Sequence, residues 1–233
     1  MKTTELIARQ QLADLYAVLS HFEWDDLIYT HASVRIPESD CFLINQFGLM
    51  FDEVTPANLV CQEINADADT DINPAGYNVH NAIYKGRQDV NCIVHLHTVE
   101  GVAVSVSRQG LLPLNHQSTA VLRSLAYHEY HGIIVDSDEE QMLQQSLGGC
   151  NHMILRNHGL LTVGNTVVNA FSNMYNLQRS CEIQALTRPE DCVLVPIEVS
   201  DQLPEQIKRF NQKQSCRQLA WDALLRKVKS KNV

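Results

Sequence analysis

A layered α/β fold is what this sequence predicts, and two observations carry it. Short β-branched runs alternate with longer stretches of helical periodicity, and no glycine-, serine- or proline-rich linker or internal repeat divides the 233 residues. The expected organisation is one domain over residues 1–190, with a helical extension over 191–233 packed on the same domain.

Leu6, Leu12, Leu15, Leu19 and Phe22 recur at helical spacing and predict a packed surface helix. Strand-like runs follow at 32–36, at 42–45 leading to Gly48, and at 59–61. Pro74 and Gly76 read as a loop before a helix over 78–85. The clearest strand is 92–97, with a helix expected over 99–106. Two further strands, 132–135 and 153–155, flank an acidic helix over 138–147. Asp136-Ser137-Asp138 suits its N-cap and Gly148-Gly149 its end. A long helix over 167–186 follows, and Trp221, Leu224, Leu225 and Val228 form a last helical stripe.

The composition is that of a folding globular chain, 45% apolar and 19% charged. Acidic residues outnumber basic ones 27 to 18, a net charge of -9. That balance argues against a nucleic-acid partner and against a polybasic membrane anchor, both of which need clustered Lys and Arg. No apolar stretch approaches the roughly 18 residues of a membrane span, and the first residues lack the apolar segment of a signal peptide. Seven cysteines without a C-x-x-C read as free thiols in a reducing compartment, so a cytoplasmic location is expected. No G-x-G-x-x-G, Walker A loop or G-x-S-x-G elbow occurs, which removes the usual support for nicotinamide, P-loop and α/β-hydrolase chemistry.

Ten histidines outnumber tryptophan and tyrosine combined, two and seven. His95 and His97 are two apart in an apolar run, so a strand sends both imidazoles to one face. His158, in Arg156-Asn157-His158-Gly159, ends a strand at a turn that Gly permits at positive φ. A third imidazole from a neighbouring strand end would complete a three-His face with open positions, as a catalytic zinc requires. The competing reading is three ordinary core histidines pointing to different regions. His128-Glu129-Tyr130-His131 is one residue short of H-E-x-x-H and reads as structural. Asp52-Glu53 is an acid/base candidate or a solvated loop. His116 reads as exposed, and His21 and His152 carry no spacing signal.

Taken in order, these stretches resemble the class II aldolase/adducin family: 30–37, 42–48, Asp52-Glu53, 75–84, Arg87 with Asp89-Val90, 94–98, 110–113 and 155–164. The likeness runs from about Leu6 to about Leu186. It implies a three-layer α/β/α sandwich with a central mixed or antiparallel sheet. It also implies a divalent ion, usually zinc, on His95, His97 and His158, polarising the carbonyl or enediolate of a small-molecule substrate. Relatives perform epimerisation, dehydration or decarboxylation, and often assemble as homo-tetramers. One departure stands out. Gly76-Tyr77 occupies the place of the aldolases' acid/base glutamate, and resembles the adducin-like branch, which includes non-enzymatic binding proteins. Thr30 and His31 stand where the phosphate-binding Gly-Asn pair would be, which argues against a phosphorylated sugar. His80 or Glu53 is then the candidate proton carrier of a metal-dependent lyase.

Overall fold

The computed structural model describes residues 2–132, 137–212 and 215–230. Its centre is a seven-stranded sheet formed by β1 (His31–Arg35), β2 (Cys41–Ile44), β3 (Val60–Glu63), β4 (Cys92–Leu96), β5 (Leu125–His128), β6 (His152–Leu155) and β7 (Gly159–Gly164), in the order β3-β2-β1-β4-β7-β6-β5. Every neighbouring pair is antiparallel except β5 with β6, so the sheet is mixed.

Alternation along β4 builds both faces of the sheet. Cys92, Val94 and Leu96 enter one core, while Ile93 enters the other. The first core is covered by helices α1 (Thr3–His21), α3 (Val99–Ser105), α4 (His116–Leu122), α6 (Val167–Ala185) and α8 (Cys216–Lys229). The second is covered by α2 (Pro74–Gly86) and α5 (Ser137–Leu147). Three layers result, with β4 buried on both faces. Helix α7 (Ile197–Phe210) packs on α4, while α8 lies against α1 and α6 and sets the Trp221 and Phe171 ring centroids 5.3 Å apart.

Several expected elements shift. The loop read at Pro74 is the first turn of α2: Asn73 caps it by accepting from the Ala75 N–H, and Pro74 opens the helix with its φ preset. Helix α4 and strand β5, each short, carry too few periodic positions to be read from the sequence. The strand expected over 132–135 lies outside the described residues apart from Gly132. Of the N-terminal stripe, Leu12, Leu15 and Leu19 are buried, while Leu6 is exposed. Among the described residues, no helix is long and apolar enough to cross a membrane.

Candidate metal centre

Strand β4 delivers His95 at its end and His97 just beyond it, and the β6–β7 turn delivers His158. Because β4 pairs with β7, with Leu96 opposite Leu160, the turn is carried beside the strand end. The turn differs from expectation in how it is made. Asn157, not Gly159, takes the left-handed conformation, at φ 57°. Gly159 is needed for another reason: a Cβ there would run into the Leu96 carbonyl oxygen, so any side chain would push the turn off β4.

The His97 Nε2 atom lies 2.9 Å from that of His95 and 2.9 Å from that of His158. Protons can be placed from the other ring nitrogens. His95 Nδ1 lies 3.0 Å from the Leu160 carbonyl oxygen and His97 Nδ1 3.1 Å from Asp26 Oδ2, and both oxygens can only accept. Both Nδ1 atoms therefore carry hydrogen, and in the neutral rings both Nε2 atoms present lone pairs. A proton on His158 would still leave the His95–His97 contact without one. Two lone pairs at this separation repel, and a cation between them removes the conflict. Tetrahedral zinc at its usual ligand distance would set such nitrogens about 3.3 Å apart, close to what is seen.

Electrostatics act in the same direction. Burial first, then the neighbouring His97, His158 and His31, hold the His95 pKa well below the usual histidine range. Burial, then His97 and His128, lower that of His158 to about 4. Both are neutral near pH 7, the form that binds metal. Asp26 fixes the His97 tautomer and ring orientation, as carboxylates behind metal-bound histidines do. Asp26 gave no spacing signal in the sequence.

A second chain of side chains backs the site. His31 faces the sheet side of His95, its partner across β1 and β4, with ring centroids 5.0 Å apart. Its Nδ1 is 2.7 Å from His80 Nε2; His80 Nδ1 meets Ser33 Oγ, which lies 2.8 Å from the Tyr84 hydroxyl. All four residues are buried. Burial lowers His80 to about 3 and, with His80 itself as the next cause, puts His31 well below its usual value. In a chain of neutral groups the hydrogens can all point toward Tyr84 or all toward His31. Moving between these states exchanges a lone pair for a hydrogen at His31 Nε2 without creating a buried charge.

His31, His95, His97 and His158 all line one cleft of about 440 Å³. His80 is fully buried and reaches it only through His31. Glu53 does not line it; its carboxylate accepts from the Met50 N–H in an exposed turn. His116 is exposed at the start of α4, His128 bonds Ser146, and His152 lies 3.2 Å from the Ser124 carbonyl.

With this geometry in place, the likeness to known proteins has residues to rest on. The sequence profile of the Class II Aldolase and Adducin N-terminal domain matches residues 10–185. A Pseudomonas aeruginosa protein, whose name places it provisionally with the class 2 aldolases, is 41% identical over all of this chain and 93% of its own length. Alpha-adducin of Rattus norvegicus is 42% identical over 78% of this chain, which spans 26% of that protein. The crystal structure of an aldolase II superfamily protein from Pseudomonas syringae superposes with a TM-score of 0.91 at 38% identity, covering 99% of this chain and 95% of that one. L-fuculose 1-phosphate aldolase from Glaciozyma antarctica superposes at 0.83 over 99% of this chain and 93% of its own, and at 22% identity it shows the shared fold alone. Profile, relatives and fold agree over residues 10–185: the chain belongs to the class II aldolase and adducin family.

Proposed function

We propose that the protein is a divalent-metal-dependent lyase of the class II aldolase type, acting on a small carbonyl or hydroxy-acid substrate. The observation that carries this reading is the meeting of the His95, His97 and His158 Nε2 atoms, with two of the three Nδ1 atoms held by pure acceptors. These three residues would hold the ion, zinc being the first candidate for an all-imidazole set. A bound divalent ion supplies Lewis-acid polarisation of a substrate oxygen.

The chain's own residues do the rest. Asp26 keeps the His97 Nε2 lone pair turned inward. Leu160 does the same for His95. His31 offers a hydrogen-bonding nitrogen in the cleft wall, and the His80–Ser33–Tyr84 chain behind it can hold or yield a proton. His80 therefore serves as proton carrier through His31, and Glu53, outside the cleft, has no part in this reading. Exposed apolar side chains on α7, Ile197 and Phe210 among them, support assembly with further copies of the chain, which size-exclusion chromatography with light scattering would register.

Metal analysis of the purified protein beside His95→Ala tests the proposal. About one divalent ion per chain in the wild type and a large loss in the variant are expected. Equally little zinc, manganese and iron in both would end it.

A second reading has its own support. The family also contains adducins, and Gly76-Tyr77 stands where the resemblance leads one to expect the aldolase glutamate. A binding domain without turnover would retain the ion and process none of a panel of aldol, β-keto acid and epimerisable substrates. Chelator-sensitive turnover of any one of them decides for the enzyme.

A further inference from the structure

The walls of the cleft bear on what it accepts. Besides the histidines and Asp26, they include Tyr29, Phe47, Val79 and Tyr130. Tyr29, Phe47 and Tyr130 are 50%, 40% and 56% exposed, so aromatic surface is left open to contact at the site. No lysine or arginine lines the cleft among the described residues. Arg156, next to the wall residue Asn157, is committed elsewhere: its guanidinium donates to the Ser107 carbonyl at 2.7 Å and lies 4.3 Å from the Tyr127 ring centre.

The other common anion site is also weakened. Helix α2 begins at the cleft, with Asn73 and Ala75 in its wall. Pro74 has no N–H, and the Ala75 N–H is taken by Asn73 Oδ1 at 3.1 Å. Asp26 adds negative charge. A phosphate dianion brought here would lose water without gaining a cationic partner away from the metal, whereas an apolar group would exchange water for aromatic contact.

We infer that the cleft takes a small compound with adjacent oxygens, a hydroxy-ketone or a hydroxy- or keto-acid, whose other end is an apolar group up to the size of an aromatic ring. The inference rests on the metal reading for the oxygenated end, and on the cleft walls alone for the apolar end. An ion on His95, His97 and His158 would supply the attraction for the oxygenated end, and Tyr29, Phe47 and Tyr130 cover the tail.

Three hydroxamates that share a metal-binding head and differ in tail make the test: acetohydroxamate, phenylacetohydroxamate and phosphonoacetohydroxamate, titrated into the metal-quantified full-length protein. Phenylacetohydroxamate should bind roughly tenfold tighter than the methyl compound, and the phosphono compound no tighter than it. In Tyr130→Ala and Phe47→Ala the phenyl advantage should shrink while metal content stays. A phosphono compound that binds tightest, or a phenyl-to-methyl ratio near one on metal-loaded protein, overturns the inference and leaves the metal reading standing. If the protein holds no metal even after dialysis against zinc, the metal reading fails separately. The tail preference is then read by thermal shift with benzyl alcohol against inorganic phosphate: stabilisation by benzyl alcohol alone supports it, and stabilisation by phosphate overturns it.

Discussion

The imidazole of His31 fills the space that a side chain at Gly76 would need. A Cβ on Gly76 would lie 2.8 Å from His31 Cδ2 and 2.9 Å from its Nε2, inside any real carbon contact. The two departures, Thr30-His31 entering β1 and Gly76-Tyr77 in α2, therefore meet in space: the His31 imidazole occupies the room beside the helix turn where the resemblance leads one to expect a carboxylate.

Restoring the glutamate by itself should fail. Gly76→Glu is expected to cost about 1–3 kcal/mol through overpacking, a fall of roughly 2–12 °C in melting temperature. Gly76→Glu combined with His31→Ala should melt higher than the sum of the two single drops allows, because the second change makes the room the first requires. Thermal melts of the four proteins close the cycle. A Gly76→Glu protein as stable as wild type would refute the packing argument.

Asp26 is expected to matter for metal retention without touching the metal. Its Oδ2 accepts from His97 Nδ1, with the carboxylate 45% exposed. Asp26→Ala should weaken metal binding by roughly 10–100-fold and leave the melting temperature of the chelator-treated protein nearly unchanged. Competition against a chelator of known affinity measures the first, and a melt in excess chelator the second. Unaltered affinity would show that His97 is oriented by its packing alone.

The parts that were legible in the sequence are those encoded locally. The β-branched run of β4 and the helical stripes of α1, α6 and α8 could be read from periodicity, and His95 and His97 share a face by the period of two alone. Periodicity did not mark His31 as part of the cleft, and only the resemblance put it near substrate, because its place depends on register: β1 runs antiparallel to β4 with His31 opposite His95, and nothing within 31–35 states that pairing. Asp26 sits in a loop with no periodicity and is brought to His97 across 71 residues. At Pro74 the local signal pointed the wrong way, since Pro and Gly together suggest a loop while Pro at the first helical position suits a helix equally well.

Acid should destabilise the protein even with no metal present. Burial is the main cause that lowers His80 to about 3 and His152 to about 4. In the unfolded chain both titrate near 6.5, so between the folded and unfolded values only the unfolded state takes up their protons. Their contribution is complete above the unfolded value and is lost as pH falls from about 6.5 toward 4, by up to about 1.4 kcal/mol per pH unit for each group. Urea midpoints of chelator-treated protein at pH 7.5 and 5.0 should fall accordingly, and His152→Asn should show a smaller fall. An equal fall in the variant would remove His152 from the account.

The buried chain behind the cleft makes the most direct claim about chemistry, and it can be tested before a substrate is known. If His80 accepts or returns a proton through His31, the protein should speed exchange of the carbon-bound hydrogen beside the carbonyl of a simple hydroxy-ketone in deuterated water, followed by NMR. His80→Gln keeps a polar group beside His31 and Ser33 but cannot pass a proton from one ring nitrogen to the other. It should lower that exchange by about 10²–10⁴-fold with metal content unchanged. Ser33→Ala breaks the chain one link further out, between His80 and Tyr84, and should cost less. A structural role for His80 would instead lower the melting temperature and metal content together and leave exchange per bound metal ion constant, and that result would assign the proton to another group.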